Sequence, residues 1–436
     1  MTESTPTSSG PSVPFGRPMR DAHFGFSSSY TPINHGSYGT YPIPVREVRT
    51  ALQAEAEESP DPFIILDWPA RILESRALTA NLLHCATEDL VFSPNATTGV
   101  ETIIKNIRWQ PGDVILVHEL VYGSVLANLN WVAETADVRV EILPIAFPMS
   151  DDDLVETMTG AVRRINASGK ERVRLAIIDT IISLPGLRLP FERLVPRLQA
   201  EGALVLVDGA HGIGHIDVDL AALNPDFFVS NLHKWLFVPR GAAAVYVARR
   251  HQAVIRASVP TSARLRKVDD VTPGAFVSLF DFIATVDNTN LLTVKASLDF
   301  RNQVCGGEEA IRKYSHTLAQ ESGEIAAKIL GTEVMDIAGS CLRDCNFSNV
   351  RLPLEVAGEG SGPGGIPAAD GDRAALWIKA TGSREAGCFF QTCFYRGKFW
   401  WRLSGMIYLD VEDFRKAAEV VKGICERAAR GEYLQS

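Results

Sequence analysis

Between about residues 46 and 250, short runs of Val, Ile and Leu recur, most of them apolar at every position rather than every second one. The runs are 114–117, 138–143, 175–179, 204–208, 227–230 and 243–247. A strand that is apolar on both sides must be covered on both sides, as a parallel strand under helices is. Stretches with helical spacing, 154–165 and 191–199, lie between the runs. This alternation predicts an α/β fold, a mainly parallel sheet covered by helices.

Two of the runs end in reactive side chains. Run 204–208 ends in Asp208-Gly209-Ala210-His211, and run 227–230 leads into Asn231-Leu232-His233-Lys234-Trp235. A solvated lysine or a strand cap would account for either signature alone. A carboxylate and an amine delivered by neighbouring strand ends, each with a histidine, are what pyridoxal phosphate (PLP) requires. The lysine attaches the cofactor as a Schiff base, and the aspartate keeps its pyridine nitrogen protonated so that the ring accepts electrons.

Three further motifs extend this reading. Ser93-Pro94-Asn95-Ala96-Thr97-Thr98-Gly99-Val100 precedes a helical pattern over 101–107. Small and hydroxyl residues there leave the first backbone N–H groups to a phosphate, although an ordinary N-cap would use the same residues. Tyr122 follows run 114–117 by a short loop, where a phenol can lie over a cofactor ring and donate a proton. Arg402, in Trp400-Trp401-Arg402-Leu403-Ser404, offers a planar guanidinium that pairs bidentately with an α-carboxylate.

Composition sets the bounds. A chain of 436 residues, 46% hydrophobic and 22% charged, is a soluble globular protein with room for two or three cores. The net charge of −9, without a basic block, gives nucleic acid no electrostatic footing. No apolar run reaches membrane-spanning length. Residues 1–14 read as a disordered Ser/Thr/Pro-rich tail, 15–297 as a large domain with an N-terminal arm, and 298–436 as a smaller one. Within the latter, 355–372 is rich in Gly and Pro and reads as a loop. The chain closes with an amphipathic helix whose Phe414, Ala417, Ala418, Val421, Ile424 and Cys425 share a face. Seven scattered cysteines form no zinc-type spacing and suggest no metal, and a reducing, cytoplasmic setting.

Taken together, the motifs resemble the class V aminotransferase family of fold-type I PLP enzymes, and within it the isopenicillin N epimerase-like branch. That branch includes fungal hercynylcysteine sulfoxide lyases and loline-cluster aminotransferase-like enzymes. Asn34-His35-Gly36-Ser37-Tyr38-Gly39, Asp179-Thr180-Ile181-Ile182-Ser183-Leu184-Pro185-Gly186 and Asn231 through Gly241 carry the likeness alongside the motifs above. The resemblance implies a mostly parallel sheet of the seven-stranded type with a smaller α+β C-terminal domain. It makes Lys234 the cofactor lysine and Asp208 the partner of the ring nitrogen, with His211 near the cofactor O3′. Ala96, Thr97, His233 and Ser183 become cofactor contacts, and Tyr122 an active-site tyrosine. Arg402, Asn34 and His35 fall on the substrate side. Thr285 matches a position that reaches the phosphate of the partner subunit, which implies a homodimer with shared sites.

The leading expectation is a lyase cleaving the C–S bond of a cysteine-conjugate amino acid, as in ergothioneine formation. The alternatives are a decarboxylating or cyclising enzyme of alkaloid metabolism, an epimerase or an aminotransferase. A desulfurase would need a nucleophilic cysteine on a mobile loop; Cys388 and Cys393 sit among apolar neighbours and read as buried.

Overall fold

The computed structural model describes residues 10–259, 274–281, 286–358 and 365–435. In chain order its first nine strands are β1 (Leu90–Ser93), β2 (Asp113–His118), β3 (Val138–Leu143), β4 (Arg172–Asp179), β5 (Ile181–Ile182), β6 (Leu187–Arg188), β7 (Leu204–Asp208), β8 (Phe227–Asn231) and β9 (Ala243–Val247). Seven of them form the central sheet in the order β1-β9-β8-β7-β4-β2-β3, while β5 and β6 pair as a separate small ladder. Only β9 runs against its neighbours; β8, β7, β4, β2 and β3 pair in parallel. The mainly parallel α/β sheet expected from the apolar runs is present, with β1 as a strand outside those runs.

The continuous apolar runs have a direct cause. Along β7, Val205 and Val207 enter one hydrophobic cluster while Leu206 enters another on the opposite face. Helices Ala96–Asn106 and Gly123–Thr135 cover the second face with Val100, Ile103, Val125 and Leu129. Helices Asp151–Asn166 and Phe191–Ala200 cover the first with Leu154, Met158, Leu194 and Leu198. Each such side chain, fully buried, contributes about 1.5–3 kcal/mol. The first of these latter helices is also well begun. The Ser150 hydroxyl accepts from the Asp153 N–H, three aspartates occupy its first turn, and Arg163 and Arg164 its last. A cap of this kind contributes ~1 kcal/mol, and the charges oppose the helix dipole with the favourable sign.

The C-terminal part carries β10 (Phe347–Arg351), β11 (Val356–Ala357), β12 (Ile366–Pro367), β13 (Gln391–Tyr395) and β14 (Lys398–Ser404). Antiparallel β10-β14-β13 form a three-stranded sheet under helices Glu308–Leu330, Gly371–Ala386 and Val411–Ala429. Within the stretch expected to be loop, β11 and β12 pair in parallel and a helix begins at Gly371. The last helix is opened by a reciprocal capping box between Asp410 and Asp413, and its expected apolar face is buried. The core beneath it also takes in Met19, Phe24 and Ile33 from the N-terminal arm and Trp235 from just after Lys234. The site residues therefore lie where two cores meet.

Candidate active site

The carboxyl ends of adjacent parallel strands gather the reactive groups, the position where open α/β sheets place ligands. Asp179 at the end of β4 is in register with Asp208 at the end of β7, and Asp208 with Val229 of β8. Strand β8 runs straight into the one-turn helix Leu232–Trp235, which carries Lys234. Gly39 permits this crowding. Its φ is +62°, and a Cβ there would stand 1.8 Å from the His233 carbonyl oxygen.

Lys234 Nζ lies 3.0 Å from His211 Nε2, and His211 Nδ1 accepts the Trp235 indole N–H at 3.1 Å. Burial drives the Lys234 ammonium toward its free amine, opposed by the Asp208 carboxylate and aided by the Arg402 charge. Burial also raises the Asp208 carboxyl, and the neighbouring Asp179 charge raises it further. One Asp208 oxygen accepts the Ala210 N–H at 2.9 Å, which fixes the carboxylate against its own turn. Among the described residues, Lys234 and Asp208 form no ion pair with each other. They alter each other's charge without touching, as an aromatic cofactor joined to one and charge-paired with the other requires.

The motif before helix Ala96–Asn106 serves as a cap. Asn95 caps the helix by accepting the Thr98 N–H at 2.9 Å. The Ala96 N–H is taken by Asn231 Oδ1 at 2.9 Å, so of the two expected phosphate donors the Thr97 N–H is the one left unbonded among the described residues. Gly99 allows the helix to approach the sheet, since a Cβ there would meet Val229 and Val245 at 2.7 and 2.9 Å. His233 has its Nδ1 3.3 Å from the Ala242 carbonyl and its pKa lowered to about 4 by burial.

Arg402, 1% exposed, reaches in from β14. Its guanidinium donates to the Ser183 carbonyl, to Asn34 Oδ1 at 3.0 Å and to Ser37 Oγ at 3.0 Å, and it lies 4.4 Å from the Phe347 ring centre. Every one of these partners is neutral, and Nε has none. Burial lowers the Arg402 pKa to about 10. A buried guanidinium without a counter-ion is costly, and an incoming carboxylate would supply the missing charge.

The remaining expected residues divide. Ser183 and Asn34 join Arg402, whereas His35 pairs with the Tyr408 hydroxyl at 2.6 Å and packs on Trp235. Tyr122 sits 47% exposed at the start of helix Gly123–Thr135. Thr285 lies outside the described residues. Burial raises the Cys388 thiol, and it pushes the Cys393 thiol up to about 12. Sequence reasoning missed Asn231, Trp235, Ser37 and Phe347. It also missed the buried pair His118–Asp179, joined at 2.7 Å beside Asp208. The last pair had a visible signal, since each residue ends an apolar run.

Comparison with known proteins matches this geometry to a family. Residues 69–346 match the family model described as aminotransferase class-V. The chain is 36% identical to the L-cysteine desulfhydrase-like protein lolT1 of Epichloe uncinata, over 97% of this chain and 98% of that protein. It is 27% identical to the hercynylcysteine sulfoxide lyase of Schizosaccharomyces pombe, over 94% and 98% of the two chains. Its fold is similar to that of the cystine C–S lyase C-DES, solved with its product cysteine persulfide, at a TM-score of 0.71. That likeness covers 90% of this chain and 97% of the other at 18% identity. A variant of C-DES has also been solved with glycine covalently linked to its PLP cofactor. With a half-buried lysine and a buried aspartate following adjacent parallel strands, and a family match over most of its length, the chain belongs to the aminotransferase class-V family as a PLP-dependent enzyme.

Proposed function

We propose that this enzyme cleaves the C–S bond of a cysteine-conjugate amino acid, releasing pyruvate, ammonia and the sulfur-bearing fragment. The observation that carries the reading is Arg402, a buried cation whose partners are all neutral, close enough to Lys234 to influence its charge. An α-carboxylate paired there would bring the α-carbon of an amino acid toward the Lys234 amine. Two relatives are named for reactions at cysteine sulfur, one as an L-cysteine desulfhydrase-like protein and one as a sulfoxide lyase. The raised Cys388 and Cys393 thiols argue against a protein persulfide, so the sulfur would leave with its substituent.

When bound, PLP supplies the electron sink that draws charge from the α-carbon. Lys234 would hold the cofactor, with Asp208 at its ring nitrogen, His211 on the O3′ side, the Thr97 N–H at its phosphate, and His233 and Ser183 around the rest. The remaining work belongs to the chain. Arg402 with Asn34 holds the carboxylate, and the Lys234 amine takes the α-proton. The Tyr122 hydroxyl would protonate the departing sulfur.

Purified enzyme is tested with cysteine, S-substituted cysteines and their sulfoxides, with pyruvate and the sulfur product measured by mass spectrometry. Release of both from at least one conjugate is the expected result. Carbon dioxide release without pyruvate would replace the lyase reading with the decarboxylating one. Arg402→Lys keeps the charge and loses the fork. It should raise KM by roughly ten- to a hundredfold, the equivalent of about 1.5–3 kcal/mol for a charge-assisted pair. An unchanged KM would assign Arg402 a structural role.

The reading includes a homodimer with shared sites. Ile65 and Leu66, 66% and 70% exposed, give the segment Phe63–Asp67 an apolar surface, and Ile64 and Leu73 extend it. Contiguous apolar surface of this kind marks protein contacts. Sedimentation velocity showing only monomer at micromolar concentration would remove this part.

A further inference from the structure

Trp235 follows the lysine in sequence, and its indole is enclosed. The side chain is fully buried, with ring centres of His215, His35 and Phe347 at 3.9, 4.9 and 5.4 Å. An indole N–H is a donor only. It is aimed at His211 Nδ1, 3.1 Å away, so that nitrogen must act as an acceptor. His211 is itself 2% exposed, and burial, with the Arg402 charge acting in the same direction, keeps its ring neutral. A neutral imidazole carries one proton, and with Nδ1 accepting, that proton sits on Nε2. Nε2 is the atom 3.0 Å from Lys234 Nζ.

We propose that Trp235 is a positioning residue that fixes the Nε2–H tautomer of His211, so that His211 donates to Lys234 and holds it as the free amine. This rests on the reading of Lys234 as the reactive lysine. An ammonium has no lone pair and cannot accept this bond, whereas a free amine can. The opposite tautomer would present a lone pair on Nε2 and would favour the ammonium instead. The choice matters because the groups facing Lys234 pull in opposite directions. The Asp208 and Asp179 carboxylates favour the charged form, and Arg402 opposes it. Neutral His211 sides with the amine only in the tautomer that the indole enforces.

The test uses the full-length chain with PLP removed and ¹⁵N-labelled histidine. Long-range ¹H–¹⁵N correlation, with the His211 signals identified by their loss in His211→Gln, should show His211 protonated at Nε2 alone. Protonation at Nδ1, or a doubly protonated ring, at neutral pH would overturn the proposal without need of a variant. In Trp235→Phe, which keeps an apolar ring but no donor, the signals should shift toward a tautomer mixture. Competitive acylation of Lys234 at pH 8, read by peptide mass spectrometry, should slow about fivefold in that variant, as expected when an amine pKa of about 8 rises by about one unit. An unchanged acylation rate in a folded Trp235→Phe protein would also overturn it. Should that variant fail to fold, the wild-type spectrum decides. None of these outcomes depends on catalysis, so failure here is distinct from failure of the proposed reaction.

Discussion

Asp208→Ala is expected to lower turnover by about three orders of magnitude while the protein still folds. The size follows from a unit charge pair at about 4 Å under an effective dielectric near 20, worth about 4 kcal/mol, or roughly a factor of 10³ in rate. Asp208 is 3% exposed, and burial and Asp179 already hold its carboxyl toward the neutral form. The Ala210 N–H and the Lys234 charge favour its carboxylate, and a cationic partner at the ring nitrogen would favour it further. Asp208→Asn keeps the shape and removes the charge, and it should be nearly as impaired. The check is kcat measured at saturating PLP. Near-wild-type kcat in both variants would remove Asp208 from the ring nitrogen.

Lys234→Ala is expected to have the larger effect, because one side chain serves two purposes. It would be both the covalent anchor of the cofactor and the base at the α-carbon. Proton transfer by a positioned base contributes roughly 10²–10⁴-fold on its own. The fold should survive. The deleted amine makes no ion pair among the described residues, and the alanine fits the one-turn helix Leu232–Trp235 without backbone strain. Circular dichroism should therefore match wild type, while activity falls below detection and the visible band of bound PLP is lost or displaced. Retained turnover would mean that another amine does this work.

Much of this site was legible because its residues interrupt a pattern. Asp208 and Lys234 follow runs that are apolar on both faces, and a charge at the end of such a run stands at a strand's carboxyl end. Other features left no such trace. The reversed direction of β9 could not be read, since Ala243–Val247 is apolar on both sides whichever way it runs. Strand β1 is only four residues long and merges with the motif that follows it. Asn231 is part of the lysine motif, yet its bond is to the Ala96 N–H, 135 residues earlier. His35 belongs to a recognisable motif but is drawn to Tyr408, 373 residues away. Arg402 could be singled out by type as a candidate carboxylate binder. Its lack of a counter-ion became visible only once Ser183, Asn34 and Ser37 were seen to surround it. Short-range chemistry shows in sequence, whereas which polar group satisfies which is decided by the packing of distant segments.

Lys234 is proposed as the residue to which PLP is attached. Borohydride reduction of the purified holoenzyme, followed by proteolysis and mass spectrometry, tests it most directly. A single pyridoxyl adduct is expected, on the peptide containing Lys234. An adduct confined to another lysine, such as the exposed Lys398 that pairs with Glu333, would contradict it.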